Sequence, residues 1–169
     1  MQKALIKKIS KLLILIFCLQ PMSPILAEVI TLPGGTTVQC ELKETISGTN
    51  YYVGQRIRMV VANDVKKNGE TVIQGGSDVL AEVVTAVKPK ALGKPGEIGI
   101  VIKSTTAVDG STISLSASKV NKGEDKSTMS VVIGLFLCIF ALFMTGGDAT
   151  LQAGSIIDAN TVTEYDITT

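Results

Sequence analysis

The sequence predicts an all-β chain: a small β-barrel, closed or partly open, with an apolar helical or hairpin insertion near the C-terminus. Three observations predict it. One turn-like phrase occurs three times, and each copy runs into residues that alternate between apolar and polar. Further alternating runs follow at short, regular spacing, with no helical period between them, which favours a sandwich or barrel over a parallel α/β sheet. Asn-Gly and Asp-Gly pairs, which fit tight hairpins, fall between such runs.

The chain opens on a segment that stands outside the fold. Lys3, Lys7, Lys8 and Lys11 give a basic start, Leu12 to Leu19 form a short apolar core, and the stretch containing Pro21 and Pro24 ends on Ala27. That order predicts a signal peptide over residues 1–27, and export with it. Eight apolar residues are too few for a comfortable bilayer span. Residues 28–169 are then a single barrel-like domain with an apolar insertion at 129–145.

The phrase comes next. Leu32-Pro33-Gly34-Gly35-Thr36-Thr37-Val38-Gln39-Cys40 returns as Ile73-Gln74-Gly75-Gly76-Ser77-Asp78-Val79-Leu80-Ala81. It returns again as Leu151-Gln152-Ala153-Gly154-Ser155-Ile156-Ile157-Asp158-Ala159. Glycine tolerates the positive φ of a tight turn, and the alternation after it suits a strand with one buried face. Gly34, Gly35, Gly75, Gly76 and Gly154 are therefore expected as structural turns of an internal repeat.

Between and after these copies lie more strands. Ile57, Met59 and Val61 share one face of a run whose other face carries Arg56 and Arg58. Asn68-Gly69 is a hairpin signal leading into the second phrase, from which Val79, Ala81 and Val83 continue inward. Residues 91–96, with Gly93, Pro95 and Gly96, read as a loop. Ile98, Ile100 and Ile102 point one way, Asp109-Gly110 turns the chain, and Ile113, Leu115 and Ala117 alternate after it. Residues 121–128 are polar and read as a loop.

Residues 129–144 stand apart, because only Ser130 and Gly134 interrupt their apolar character. As a helix the run is about 24 Å long at 1.5 Å per residue, short of a hydrocarbon core of about 30 Å. Its uniform polarity excludes an amphipathic surface helix. Two phrases precede it and one follows, so a single crossing would separate strands of one barrel. A hairpin, a shallow insertion or packing against the barrel avoids that conflict. Leu135, Phe136, Leu137, Ile139, Phe140, Leu142 and Phe143 are the expected membrane contacts.

Composition removes several functions. Without residues 1–27 the chain has 12 basic and 15 acidic side chains, net −3, so no basic field attracts nucleic acid. The chain has no histidine, which removes the commonest general base and Ser/His/Asp or Cys/His catalysis. Gly75-Gly76-Ser77 lacks the lysine and helix of a phosphate loop. Asp64, Asp109 and Asp148 lie beside turn residues, where carboxylates serve backbone hydrogen bonds. Cys40 and Cys138 show no stapling or zinc pattern and read as small buried residues. No cofactor, metal site or small-molecule substrate is expected, and the chain is expected not to be an enzyme. Arg56 and Arg58, the only arginines, read either as an exposed polar face or as anchors at a protein interface.

The order of motifs over residues 32–118 resembles the C-terminal barrel of TrbI-like conjugation and type IV secretion scaffold proteins. The resemblance rests on Leu32-Pro33-Gly34-Gly35-Thr36, Glu44 to Gly48, Gly54, Val61 to Val65, Ile73 to Ser77 and the Asp109-Gly110 hairpin. That family's later Gly-Asp phrase is not found here. The resemblance implies a barrel within an envelope complex and an inserted element that contacts a membrane. The expected function is a cell-envelope scaffold, periplasmic or membrane-associated, that assembles with other envelope proteins or with itself. The alternative is a periplasmic binding module for a peptide, glycan or small ligand, using loops at one barrel mouth.

Overall fold

A computed structural model describes residues 29–127 and 145–168. Residues 1–27, where a signal peptide is expected, Cys138 and the apolar side chains Leu135, Phe136, Leu137, Ile139, Phe140, Leu142 and Phe143 lie outside the described residues. The described residues form twelve strands: β1 (Val29–Leu32), β2 (Thr37–Leu42), β3 (Ile46–Ser47), β4 (Arg56–Val61), β5 (Val65–Lys67), β6 (Glu70–Ile73), β7 (Asp78–Val87), β8 (Glu97–Thr106), β9 (Thr112–Lys122), β10 (Thr150–Leu151), β11 (Ile156–Thr161) and β12 (Tyr165–Thr168). Six of them close into an antiparallel barrel in the order β11-β2-β4-β7-β8-β9, and β9 returns to β11. The all-β class and the barrel are as predicted, and the barrel is closed.

Closure follows from the two-residue period. Ile57, Met59 and Val61 of β4 are buried, while Arg56 and Arg58, which alternate with them, are exposed. Val79, Ala81 and Val83 of β7 and Ile98, Ile100 and Ile102 of β8 repeat the pattern. A six-stranded barrel is narrow, so large inward residues must face small ones. Ile57 pairs with Ala81, Val38 with Ala159 and Ile157 with Cys40. Cys40, Ala81 and Ala159 hold the same place in the three phrases and are all fully buried.

The sequence hairpins are present. Asn68 and Gly69 both have positive φ between β5 and β6, the geometry of a type I′ turn. Gly110, at φ 84°, turns β8 into β9. One boundary differs. The loop that the sequence predicts over residues 121–128 starts later, because β9 pairs with β8 through Lys122 against Glu97. The ladder of β8 extends a strand that its own polar residues would not form.

β7, β8 and β9 run past the barrel as a three-stranded arm, with Thr85 against Gly99, Val87 against Glu97 and Val120 against Gly99. Ile46 of β3 and Leu151 of β10 are buried in the core cluster beside this arm. At the other end, Ile30 and Leu32 of β1, Ile167 of β12 and Val72 and Ile73 of β6 join the same cluster. The interior is filled with side chains.

Candidate functional site

Four turns feed four barrel strands, and all four make the same pair of hydrogen bonds. In each, a glycine of positive φ takes the third turn position: Gly35 (81°), Gly54 (87°), Gly76 (89°) and Gly154 (84°). Only glycine adopts this φ without a Cβ penalty. The Gly35 amide donates to the Thr161 carbonyl at 2.8 Å, and the Thr161 amide donates to Thr36 at 2.9 Å. Gly154 and Ser155 treat Leu42 identically, Gly76 and Ser77 treat Val61, and Gly54 and Gln55 treat Val83. The turns before β2 and β11 thus clasp each other's strands, and the turns before β4 and β7 do the same.

Gly35, Gly76 and Gly154 are the glycines predicted from the sequence as turns. Gly34 and Gly75 hold a different post. A Cβ on Gly75 would stand 3.2 Å from the Asp64 carboxylate, whose Oδ1 accepts the Gly75 amide at 2.8 Å. The fourth turn, Tyr52–Gln55, carries Val53 there, more than half exposed, and so lacks the small residue that marks the other three.

Arg56 and Arg58 stand on the outer face of β4 and line a cleft of about 380 Å³ with Lys43, Asp78, Leu80, Ser104, Thr106 and Thr112. Among the described residues neither guanidinium lies within ion-pair distance of a carboxylate. Glu82, opposite Arg56 in the ladder, is engaged by Lys103 at 2.6 Å, and Glu41 is engaged by Lys43 at 2.9 Å. The backbone beneath is fixed, because the Arg58 amide donates to Glu44 Oε1 at 2.9 Å and its carbonyl accepts the Lys43 amide at 3.0 Å. Two unpaired, always-charged forks beside three hydroxyls suit a carboxylate or phosphate. The cleft lies on the barrel wall and not at its mouth.

The second feature is a neck. The chain leaves the described residues after Ser127 and returns at Thr145. The Lys126 amide donates to the Gly93 carbonyl at 2.9 Å, and the Gly146 amide donates to the Lys90 carbonyl at 3.3 Å. Gly147 closes the circuit, donating to Glu124 at 3.0 Å while its carbonyl accepts from Gly96 at 2.9 Å. The outgoing and returning strands of chain are therefore stitched to one loop, residues 88–96, at the tip of the arm. A Cβ on Gly123 would collide with the Gly147 carbonyl, and one on Gly93 with Lys126. The glycines are there for close backbone approach.

The remaining groups are structural. Among the described residues Cys40 has no disulfide partner, and burial first, then the charge of Asp158, pushes its thiol up to about 11. Asp109 is held below the ordinary carboxyl range by hydrogen bonds from Ser111 and Thr168. Asp64 and Asp109 thus serve backbone amides, whereas Asp148 lies at the neck beside Gly96. Tyr165 is lowered because its hydroxyl accepts the Ser114 amide at 2.9 Å. Among the described residues no three His, Cys, Asp or Glu side chains gather as metal ligands, and no helix is long and apolar enough to cross a membrane. No family model matches the chain, and no curated protein matches it.

Proposed function

We propose that the chain is a non-enzymatic, exported envelope protein that presents a rigid barrel at a membrane surface and assembles there with other proteins or with itself. The neck is the observation that supports this. The most apolar stretch of the sequence, residues 129–144, is bracketed by backbone that the arm pins together. A segment held by both ends at one place enters and leaves a bilayer from the same side, so the barrel keeps all its strands together. The expectation of a secretion- or conjugation-like scaffold rests on the motif order over residues 32–118. The four clasped turns favour copies of one internal repeat as the source of the barrel.

The test is fractionation of the full chain beside a variant in which 129–144 is replaced by a Gly/Ser linker of equal length. The full chain is expected in the membrane fraction, released by detergent, with processing at or near Ala27. The linker variant is expected in the soluble fraction, still folded. Recovery of the full chain as a soluble monomer without detergent would sink the proposal.

A second reading draws on the cleft. Arg56 and Arg58, unpaired among the described residues, make a binding module for an anionic peptide or small anion the alternative function. It predicts that an acidic peptide binds the linker variant and that Arg56→Glu with Arg58→Glu abolishes the binding.

A further inference from the structure

The arm end of the molecule differs in charge from the rest. Residues 84–99, 118–127 and 145–150 carry six lysines, Lys88, Lys90, Lys94, Lys119, Lys122 and Lys126, against Glu97, Glu124, Asp125 and Asp148. From residue 28 onward, the remainder carries six cations against eleven carboxylates. The protein is thus a charge dipole whose positive pole is the arm.

The lysines there are largely free. Among the described residues, Lys122 reaches Glu97 at 3.8 Å and Lys126 reaches Glu124 at 3.3 Å, while Lys88, Lys90, Lys94 and Lys119 have no carboxylate within 4 Å. Asp125 is already engaged by Ser127, and hydrogen bonding holds it below the ordinary carboxyl range. Exposed apolar side chains share this end: Val84, Val87, Leu92 and Val120 on the arm, and Tyr52 and Val53 beside Val83. Lysines interleaved with exposed apolar groups and an aromatic ring match a bilayer interface, where charged heads meet phosphates and short apolar groups enter the boundary. The neck, through the backbone of Lys90, Gly93 and Lys126, belongs to the same end of the molecule.

We infer that the arm end is an electrostatic docking face for anionic phospholipid, with Lys88, Lys90, Lys94 and Lys119 as its headgroup contacts. This rests on the membrane reading above and adds a lipid class to it. The apolar segment supplies attachment, and the lysines select the surface and fix the barrel's orientation on it. A lysine near an anionic surface strengthens partitioning roughly fivefold, and salt weakens it because the charges lie in water.

Flotation of the full mature chain with vesicles tests this, using phosphatidylcholine alone and phosphatidylcholine mixed with phosphatidylglycerol. Expected is preferential binding to the phosphatidylglycerol vesicles, with the preference lost in high salt. Lys88→Gln with Lys94→Gln should reduce the preference roughly 25-fold, while Lys66→Gln with Lys67→Gln, at the opposite end, should leave it intact. Equal binding to both vesicles, or equal loss in both variants, overturns the docking face and leaves the membrane reading standing. Binding to neither vesicle overturns both. Thermal melts of the variants establish folding, and a preference of the unaltered chain that salt does not weaken overturns the docking face without any variant.

Discussion

The amide of Gly154 donates to the carbonyl of Leu42 at 2.7 Å, and the amide of Leu42 donates back to the carbonyl of Ser155 at 2.9 Å. This exchange fixes the turn that follows the apolar run to the end of β2. Space around Gly154 is open, so its φ of 84° is the constraint. Gly154→Ala should cost about 1–2 kcal/mol from the left-handed backbone alone. Ala153→Gly, one residue away, should cost less. Urea unfolding of the two variants measures the difference, and equal midpoints would show that the clasp does not fix the turn.

Cys40 gives a pH signature. Its thiol is ordinary at 9.0 and stands at about 11 in the fold. A raised thiol favours the neutral form, so the associated stability is complete below pH 9 and is lost as pH rises through 11. The shift corresponds to about 2–3 kcal/mol. Cys40→Ala, the residue found at 81 and 159, should remove this part of the alkaline loss. Unfolding midpoints between pH 8 and 11 should converge for the two proteins if the assignment is right and stay parallel if it is wrong.

Asp109 joins the β8–β9 hairpin to the last strand, accepting the Ser111 amide at 2.8 Å and the Thr168 amide at 3.2 Å. A lowered carboxyl contributes above its ordinary range, and the contribution is lost as pH falls through the lowered value. Asp109→Ala should therefore lower the melting temperature at pH 7 and have a shrinking effect in acid. Hydrogen exchange at Thr168 should quicken in the variant. Unchanged exchange would remove the tie.

Arg56 and Arg58 carry little of the fold, since both are exposed and unpaired among the described residues. Reversing both charges should leave stability within about 0.5 kcal/mol. Partner recovery from detergent extracts should fall sharply if the cleft is an interface. Full recovery with both charges reversed would return the pair to the role of a solvated strand face.

Much of the barrel could be read from local chemistry. Gly76 and Asn68-Gly69 announce their turns, and Ile57, Met59 and Val61 declare their face by spacing alone. The fourth turn was hidden because Val53 holds a place where its side chain points into solvent. The pairing of β1 with β12 and of β2 with β11 joins residues from opposite ends of the chain, which no local pattern specifies. The lysines at 88–94 and 119–126 were visible as residues, but only the arm brings them to one end. The cleft around Arg56 needed β7, β8 and β9 beside β4 before it existed.

The strand that seals the barrel, β11, lies between β2 and β9 and is encoded after the apolar run. Until it is made, β2 and β9 present unpaired edges, the usual hazard of an unfinished sheet. Synthesis therefore completes the apolar run before the strand that removes those edges. A chain halted at residue 127 is predicted to be a sticky intermediate with both edges still open, so closure of the barrel has to wait for the last part of the sequence to be made.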